Sequence, residues 1–439
     1  MKIRLSLCLI TACLVLRGNL YAQDAPMLSI KDAIEIALKN NYNIKLSENN
    51  ATIAKNNVTP GAAGMLPVVT GQFTSSNSIQ NTTQTRADNT VNVINHANNT
   101  GTNYGANLNW TIFDGFNMFA NYKGLKQRNE LGQVLLRDTI QATLANVLAS
   151  YYDLVNQNEQ INSLKGAMAI SHLQLRYAND KFKVGRVSRL DVLNAEVNYN
   201  TDTANYITQL QQYKTSQIKL NQLLIRDLQT DFKVADTIVV DQKLILGDIL
   251  TQAQNENPAI LASQINQRLA EISLKQVQST RYPQVAVNTG YTVSNNNTPA
   301  GFARVQQSNG VSYGLTATIN IFDGFNQWRR ERNAKLQINS AGINYDQTKL
   351  GINAQINTLY ASYLTGLDLI KLGQSNVAIA KRNLDISLEK YKIGNITPLE
   401  IREAQRNYLD AQSKFFSAQY QSKIAEITLK QITATVNIQ

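Results

Sequence analysis

Trp110-Thr-Ile-Phe-Asp-Gly-Phe-Asn117 returns 209 positions later as Ile319-Asn-Ile-Phe-Asp-Gly-Phe-Asn326. Lys181-Phe-Lys-Val-Gly185 returns at the same displacement as Lys390-Tyr-Lys-Ile-Gly394, followed by the pairs Leu190/Leu399, Asp191/Glu400, Ala195/Ala404 and Tyr199/Tyr408. Upstream, Ala37-Leu-Lys-Asn-Asn41 matches Ala253-Gln-Asn-Glu-Asn257, and Leu66-Pro67-Val68 matches Tyr282-Pro283-Gln284, both displaced by 216. The seven-residue difference falls between Pro67 and Tyr104, which marks a length-tolerant loop. The chain is therefore a tandem duplication, with a first repeat over 23–230, a connector over 225–250 and a second repeat over 246–439.

Each repeat places helix-period blocks on both sides of a strand-period block. Val147, Tyr151, Leu154, Asn158 and Ile161 are spaced 4, 3, 4, 3, and Ile356, Tyr360, Tyr363, Leu367 and Ile370 repeat that seam. Seven prolines leave 68–257 and 300–397 free of helix breakers. The spacing predicts long helices over 117–183 and 326–392, with returning helices over 188–224 and 398–433. Before the strand block of the first repeat, a shorter helix is expected over 43–64.

In the strand block Tyr104, Ala106, Leu108, Trp110 and Ile112 share one face, and Tyr313, Leu315, Ala317, Ile319 and Ile321 repeat the alternation. Partner strands precede each, giving hairpins at about 68–114 and 284–323. The Asn/Thr-rich stretches Ser75–Asn103 and Ser294–Asn309 are expected to be their loops. Strands of roughly 10 residues suit a tilted bilayer crossing. Trp110, Phe113, Phe116 and Phe119 in one copy, and Phe322, Phe325 and Trp328 in the other, gather where strand passes to helix, as an interfacial girdle would. Four strands cannot close a barrel, and an open edge in hydrocarbon leaves backbone groups unpaired, so such a chain must oligomerise. A dimer would supply eight strands and a trimer twelve. A soluble periplasmic coiled-coil scaffold with decorative hairpins is the alternative.

Residues 1–22 read as a signal peptide, with Lys2 and Arg4 before an apolar Leu5–Leu16 and Ala22 before a cleavage point. A rival reading makes Cys13 a lipoprotein acylation site. Removing 1–22 takes Lys2, Arg4 and Arg17 and lowers the formal charge from +11 to +8. Both cysteines leave with it. The remaining basic residues are dispersed, which argues against a nucleic-acid partner. His96 and His172 are far apart in sequence, and no phosphate-binding or nucleophile motif is present, so neither enzyme activity, a metal nor a cofactor is expected.

These features together resemble the TolC-like outer membrane efflux proteins, across essentially the whole mature chain. The duplicated Ile-Phe-Asp-Gly strand exits and the glycine helix turns at Gly185 and Gly394 carry the likeness. The resemblance implies a mainly α fold with a transmembrane β-hairpin pair: a homotrimeric twelve-stranded β-barrel in a Gram-negative outer membrane, continued by a twelve-helix periplasmic tunnel. It also implies a girdle formed by 225–250, and partners consisting of a periplasmic adaptor, an inner-membrane pump of RND or ABC type, and outer membrane lipid. The function implied is a passive exit duct for small molecules or proteins.

Site residues follow from the same resemblance. The tip turns 184–188 and 393–397 would dock the adaptor through Gly185, Val187, Ser188, Leu190, Gly394, Ile396, Thr397 and Leu399. Tyr391 and Asp191 match a linking pair of the gate, and Glu400 and Glu403 match acids at its constriction. The family's gating arginine position is Ile396 here, with Arg186 or Arg189 as candidate replacements. On the residues' own chemistry, Ser188 and Thr397 are helix caps, with Pro398 at a first helical position. At the strand-to-helix junctions, Phe113, Asp114 and Gly115 pair with Phe322, Asp323 and Gly324, each Gly relaxing the backbone and each Asp capping the new helix.

Overall fold

The computed structural model describes residues 26–235, 237–299, 301 and 303–436; the expected signal segment 1–22, Cys13 included, lies outside them. Helices and strands alternate as α1 (Ile30–Asn40), α2 (Tyr42–Asn56), β1 (Val68–Thr85), β2 (Val91–Asp114), α3 (Asn117–Lys183) and α4 (Arg189–Leu224). The second half supplies α5 (Leu246–Glu256), α6 (Pro258–Ser279), β3 (Gln284–Asn297), β4 (Val305–Thr318), α7 (Asn326–Ile393) and α8 (Pro398–Ile432). At 67 and 68 residues, α3 and α7 are each about 100 Å long. No described helix is long and apolar enough to cross a membrane.

The chain forms two units, both fed by α3 and α7. The first gathers residues up to Ser47, Arg137–Pro258 and Lys349 onward. Its core contains Val147, Tyr151 and Leu154 of the heptad-like seam, packed with Ile34, Leu220, Leu224 and Phe232. Ile356 and Tyr363, from the repeated seam, are buried in a neighbouring cluster with Ile249 and Leu429. The tyrosines use both ends: Tyr151 donates its hydroxyl to Leu28 O at 3.0 Å and accepts from Ala235 N at 3.1 Å, while Tyr360 donates to Leu244 O at 3.2 Å.

The connector breaks the helix period, and Phe232-Lys-Val and Thr237-Ile-Val-Val suit a strand by composition, but the chain does not use them so. Apart from an isolated parallel bridge between Met27 and Lys233, its described residues pair with no strand. Side chains satisfy its backbone instead. Gln217 donates to Phe232 O at 2.8 Å, Asn221 to Thr230 O at 2.9 Å, and Glu426 accepts from Asp241 N at 2.9 Å.

The second unit comprises Glu48–Leu136 and Ala259–Thr348. Its sheet is an antiparallel meander ordered β1-β2-β3-β4, so β1 and β4 are free edges within one chain. Helix α2 stops eight residues short of the expected 64, because Pro60 cannot continue a helix and disfavours helical geometry at Thr59. The expected loops are also largely strand. Most of Ser75–Asn103 pairs with itself, leaving only Arg86–Thr90 as the turn, and the second loop shrinks to Thr298–Arg304. Ladder bonds come from the backbone and need no apolar side chains, and the threonines favour the pleat. Because β2 meets β3 only from Thr100 onward, Ser78–Thr85 and Val91–Asn99 extend beyond β3 as a two-stranded ribbon. The second hairpin ends at Thr318 rather than 323, since β4 is an edge, whereas β2 has β3 beside it as far as Asp114↔Gln284. The apolar face of β4 is bare: Tyr313 is 87% exposed and Leu315 67%.

Candidate gate and docking tips

At the end of α3 the chain reverses through Gly185, whose φ of +73° favours glycine. Gly185 N donates to Phe182 O and Arg186 N to Lys181 O, both at 2.9 Å, which closes the helix with a Schellman motif. Gly394, at φ +86°, ends α7 the same way, with Gly394 N on Tyr391 O and Asn395 N on Lys390 O.

Both returning helices open with a capping box. Asp191 N donates to Ser188 Oγ at 3.2 Å while Asp191 Oδ2 accepts from Ser188 N at 2.9 Å; Thr397 and Glu400 repeat the pattern at 3.3 and 2.7 Å. These bonds favour the carboxylates, so the Ser188 hydroxyl and backbone hold Asp191 below the usual range, and the Thr397 backbone and hydroxyl do the same for Glu400. Val187 is half-buried, and Ile396 packs against the cluster containing Ile401 and Tyr391, so the residue at the expected arginine position is an apolar staple. Leu190, Leu399, Val184 and Ile393 stay 65–76% exposed, giving each tip an apolar pair with nothing on it.

Tyr391 is buried. Burial, and after it the charge of Asp191, pushes its phenol up, so it stays protonated. Among the described residues no hydrogen bond joins it to Asp191, whose Oδ2 is engaged by Ser188, so the expected linking pair is unbonded within one chain. The cation at Tyr391 is neither Arg186 nor Arg189. Lys181 Nζ sits 4.6 Å from the ring centroid and donates to Tyr391 O at 3.0 Å, while Arg189 lies over the Phe182 ring. Glu400 and Glu403 are exposed.

Further along the same helices lies a buried polar cluster that sequence reasoning missed. Arg402 on α8 grips Asp202 on α4 with Nη1 at 2.6 Å and Nη2 at 2.9 Å. Ser171 on α3 donates to the same carboxylate, and Gln405 bridges Asp202 Oδ2 and Ala167 O, each at 3.0 Å. Asp202, Gln405 and Ser171 are 3%, 1% and 0% exposed. At the displacement of 209, Ser171, Asp202 and Arg402 correspond to Ala380, Ala411 and Leu193. That polar-for-apolar mismatch between the copies was the available signal.

The two strand exits are built differently. Gly115 and Gly324 both lie near φ +69°. Asp114 caps α3, its carboxylate accepting from Met118 N at 3.1 and 2.9 Å, and Phe113 stacks edge-on to Phe116. Asp323 does not cap α7 with its side chain: Arg330 draws the carboxylate away at 3.0 Å, and Asn326 closes on Asp323 O. The first copy has the uncharged Asn121 where Arg330 stands, so nothing competes for Asp114. Phe322 is 74% exposed and stacks on Phe325.

Comparison with known proteins bears on the sequence and the fold as a whole. The sequence matches the family described as "Outer membrane efflux protein" over residues 33–224 and 249–435. It is 24% identical over 429 residues to the outer membrane efflux protein BepC of Brucella suis, covering 97% of this chain and 90% of that protein. It is 20% identical to the outer membrane protein TolC of Escherichia coli over 79% of this chain and 72% of TolC. The fold resembles the CmeC outer membrane channel of Campylobacter jejuni, with a TM-score of 0.79 at 18% identity, over 92% of this chain and 85% of CmeC. The MtrE outer membrane channel of Neisseria gonorrhoeae, crystallised in an open state, aligns with a TM-score of 0.70 at 16% identity, over 92% and 88%.

Proposed function

The chain belongs to the outer membrane efflux protein family, ducts of the Gram-negative outer membrane rather than enzymes, and on that premise we propose that it works as the trimeric exit duct of a tripartite export system. The carrying observation is a sheet with a bare apolar face and two free edges, joined by α3 and α7 to capped turns bearing exposed Leu190 and Leu399. Three copies bring twelve strands, enough to close a barrel and to satisfy every edge. The long helices continue it as a tunnel, and the connector supplies its girdle. The exposed tips receive a periplasmic adaptor, and an inner-membrane pump of RND or ABC type supplies the energy.

Closure of the tunnel is assigned to Tyr391 and Asp191, which link between copies. Glu400 and Glu403, multiplied by three, form an acidic ring that attracts cations. A soluble scaffold would not leave Tyr313 and Leu315 facing water. The test is single-channel recording in planar bilayers. The double variant Tyr391→Phe, Asp191→Ala is expected to conduct more than the parent, and an unchanged conductance would remove the gate assignment. Recovery of the protein from the soluble periplasmic fraction would remove the duct itself.

A further inference from the structure

Helix N-termini favour anions, yet neither long helix opens on one. Neither α3 nor α7 has an acid in its first turn. Lys123 and Lys126 follow in α3, and Arg329, Arg330 and Arg332 in α7. Arg330 pairs with Asp323, Arg332 lies over the Trp328 ring and Lys126 over the Tyr122 ring, whereas Lys123 has none of these local contacts among the described residues.

Beside the start of α3 is an open cleft of about 680 Å³, with Phe116, Phe119 and Tyr282 among its walls and Lys123, Lys275 and Arg281 among its polar groups. Helices α3 and α6 approach closely next to it, Ile272 lying 3.6 Å from where a Gly124 side chain would begin. Arg281 is already engaged by Glu331, to which it donates through Nη2 at 2.8 Å. Among the described residues no ion pair joins Lys123 or Lys275, and both are exposed. Phe116 adopts φ +69°, a left-handed conformation disfavoured for a bulky residue, and holds its ring 60% exposed against Phe113 and Tyr282. The second copy repeats the device with Phe325 at φ +62° and 74% exposure.

We propose that this cleft binds the phosphate headgroup of an anionic phospholipid from the periplasmic leaflet of the outer membrane. Lys123 and Lys275 neutralise the phosphate, while Phe116, Phe119 and Tyr282 lie along the glycerol and the first methylenes of the acyl chains. Two features select this occupant. An apolar aromatic wall serves a diacyl headgroup and gives nothing to a free phosphate ion, and the cations lie on the helical side of the aromatic girdle, where headgroups of that leaflet sit. The inference rests on the proposed membrane-spanning role of the sheet, and gives that sheet a fixed depth.

The experiment is native mass spectrometry of the full-length protein in detergent, titrated with phosphatidylglycerol, phosphatidylcholine or inorganic phosphate, in parallel with Lys123→Gln, Lys275→Gln. Retention of phosphatidylglycerol over phosphatidylcholine is expected, lost by roughly thirtyfold in the double variant at about 1 kcal/mol per cation, and weakened by salt. Equal retention of both lipids, an unaffected double variant, or competition by inorganic phosphate at equal concentration would each overturn the site. Outer membrane fractionation of the same samples separates the two levels: protein absent from that membrane defeats the duct, whereas inserted protein without lipid selectivity defeats only this inference.

Discussion

Arg402 holds Asp202 through two parallel hydrogen bonds, 2.6 and 2.9 Å long, at a point where the Asp202 side chain is only 4% exposed. The pair joins a helix of the first repeat to one of the second. Buried ion pairs recover their desolvation cost only when every lone pair finds a donor, and here Ser171 and Gln405 complete the set. Asp202→Ala or Arg402→Ala leaves one charge stranded and is expected to cost about 3–5 kcal/mol. Replacing both by apolar residues, Asp202→Leu with Arg402→Met, is expected to recover most of that loss. Denaturant unfolding of the parent, the two alanine variants and the alanine double variant measures the coupling, and additive losses would show that the pair acts as two independent residues.

The caps at the tips respond to acid. Folding lowers the proton affinity of Asp191 and Glu400, so their contribution is fully present above the unfolded carboxylate range and is lost as pH falls through the lower folded values. The window therefore opens below about pH 4. Ser188→Ala and Thr397→Ala remove the acceptors on the other side of each box, at about 1 kcal/mol per cap. Hydrogen exchange at the tips is expected to accelerate in the parent between neutral pH and pH 3, after correction for intrinsic exchange, with a smaller acceleration in the double variant.

The two strand exits differ in tolerance. A side chain at Gly115 would place Cβ 2.2 Å from Ser279 O, a backbone atom, whereas Gly324 has only the end of the Asn326 side chain within reach, at 3.7 Å. Both positions carry the left-handed φ penalty of about 1–2 kcal/mol. Gly115→Ala is thus expected to impair assembly severely and Gly324→Ala mildly, as read by the yield of folded oligomer from membranes.

Exposed leucines at the tips predict a separation of assembly from docking. Leu190→Asp with Leu399→Asp alters two side chains that touch no core. Oligomer yield and melting temperature should remain within a few degrees of the parent, while export activity and adaptor co-purification fall by at least about tenfold, the loss expected for a central apolar contact of an interface.

Which parts could be foreseen depended on whether local sequence decides them. The duplicated Phe-Asp-Gly and the glycine turns punctuate the chain by backbone chemistry alone, so junctions, tips and caps were legible at Asp114, Gly185, Ser188 and Thr397. The ribbon from Ser78 to Asn99 was not, since polar strands pair through the main chain and leave no alternation to read. The connector looked like strand because Thr237–Val240 is β-branched, yet its bonding partners are side chains of the preceding α4, such as Gln217, and of the distant α8, such as Glu426. Contacts that join residues far apart in sequence, Lys181 on Tyr391 or Arg402 on Asp202, leave no local pattern. Only comparison of the copies with each other exposes the second of these.

That mismatch between copies has a consequence for the history of the chain. Leu193 and Ala411 stand where the first and second repeats would need an arginine and an aspartate to complete a reciprocal clasp. A hybrid made of two first halves would bury aspartates opposite leucines, and one made of two second halves would bury arginines opposite alanines. The halves have become complementary partners, a lock and its key cut from one blank, and neither can any longer serve as a substitute for the other.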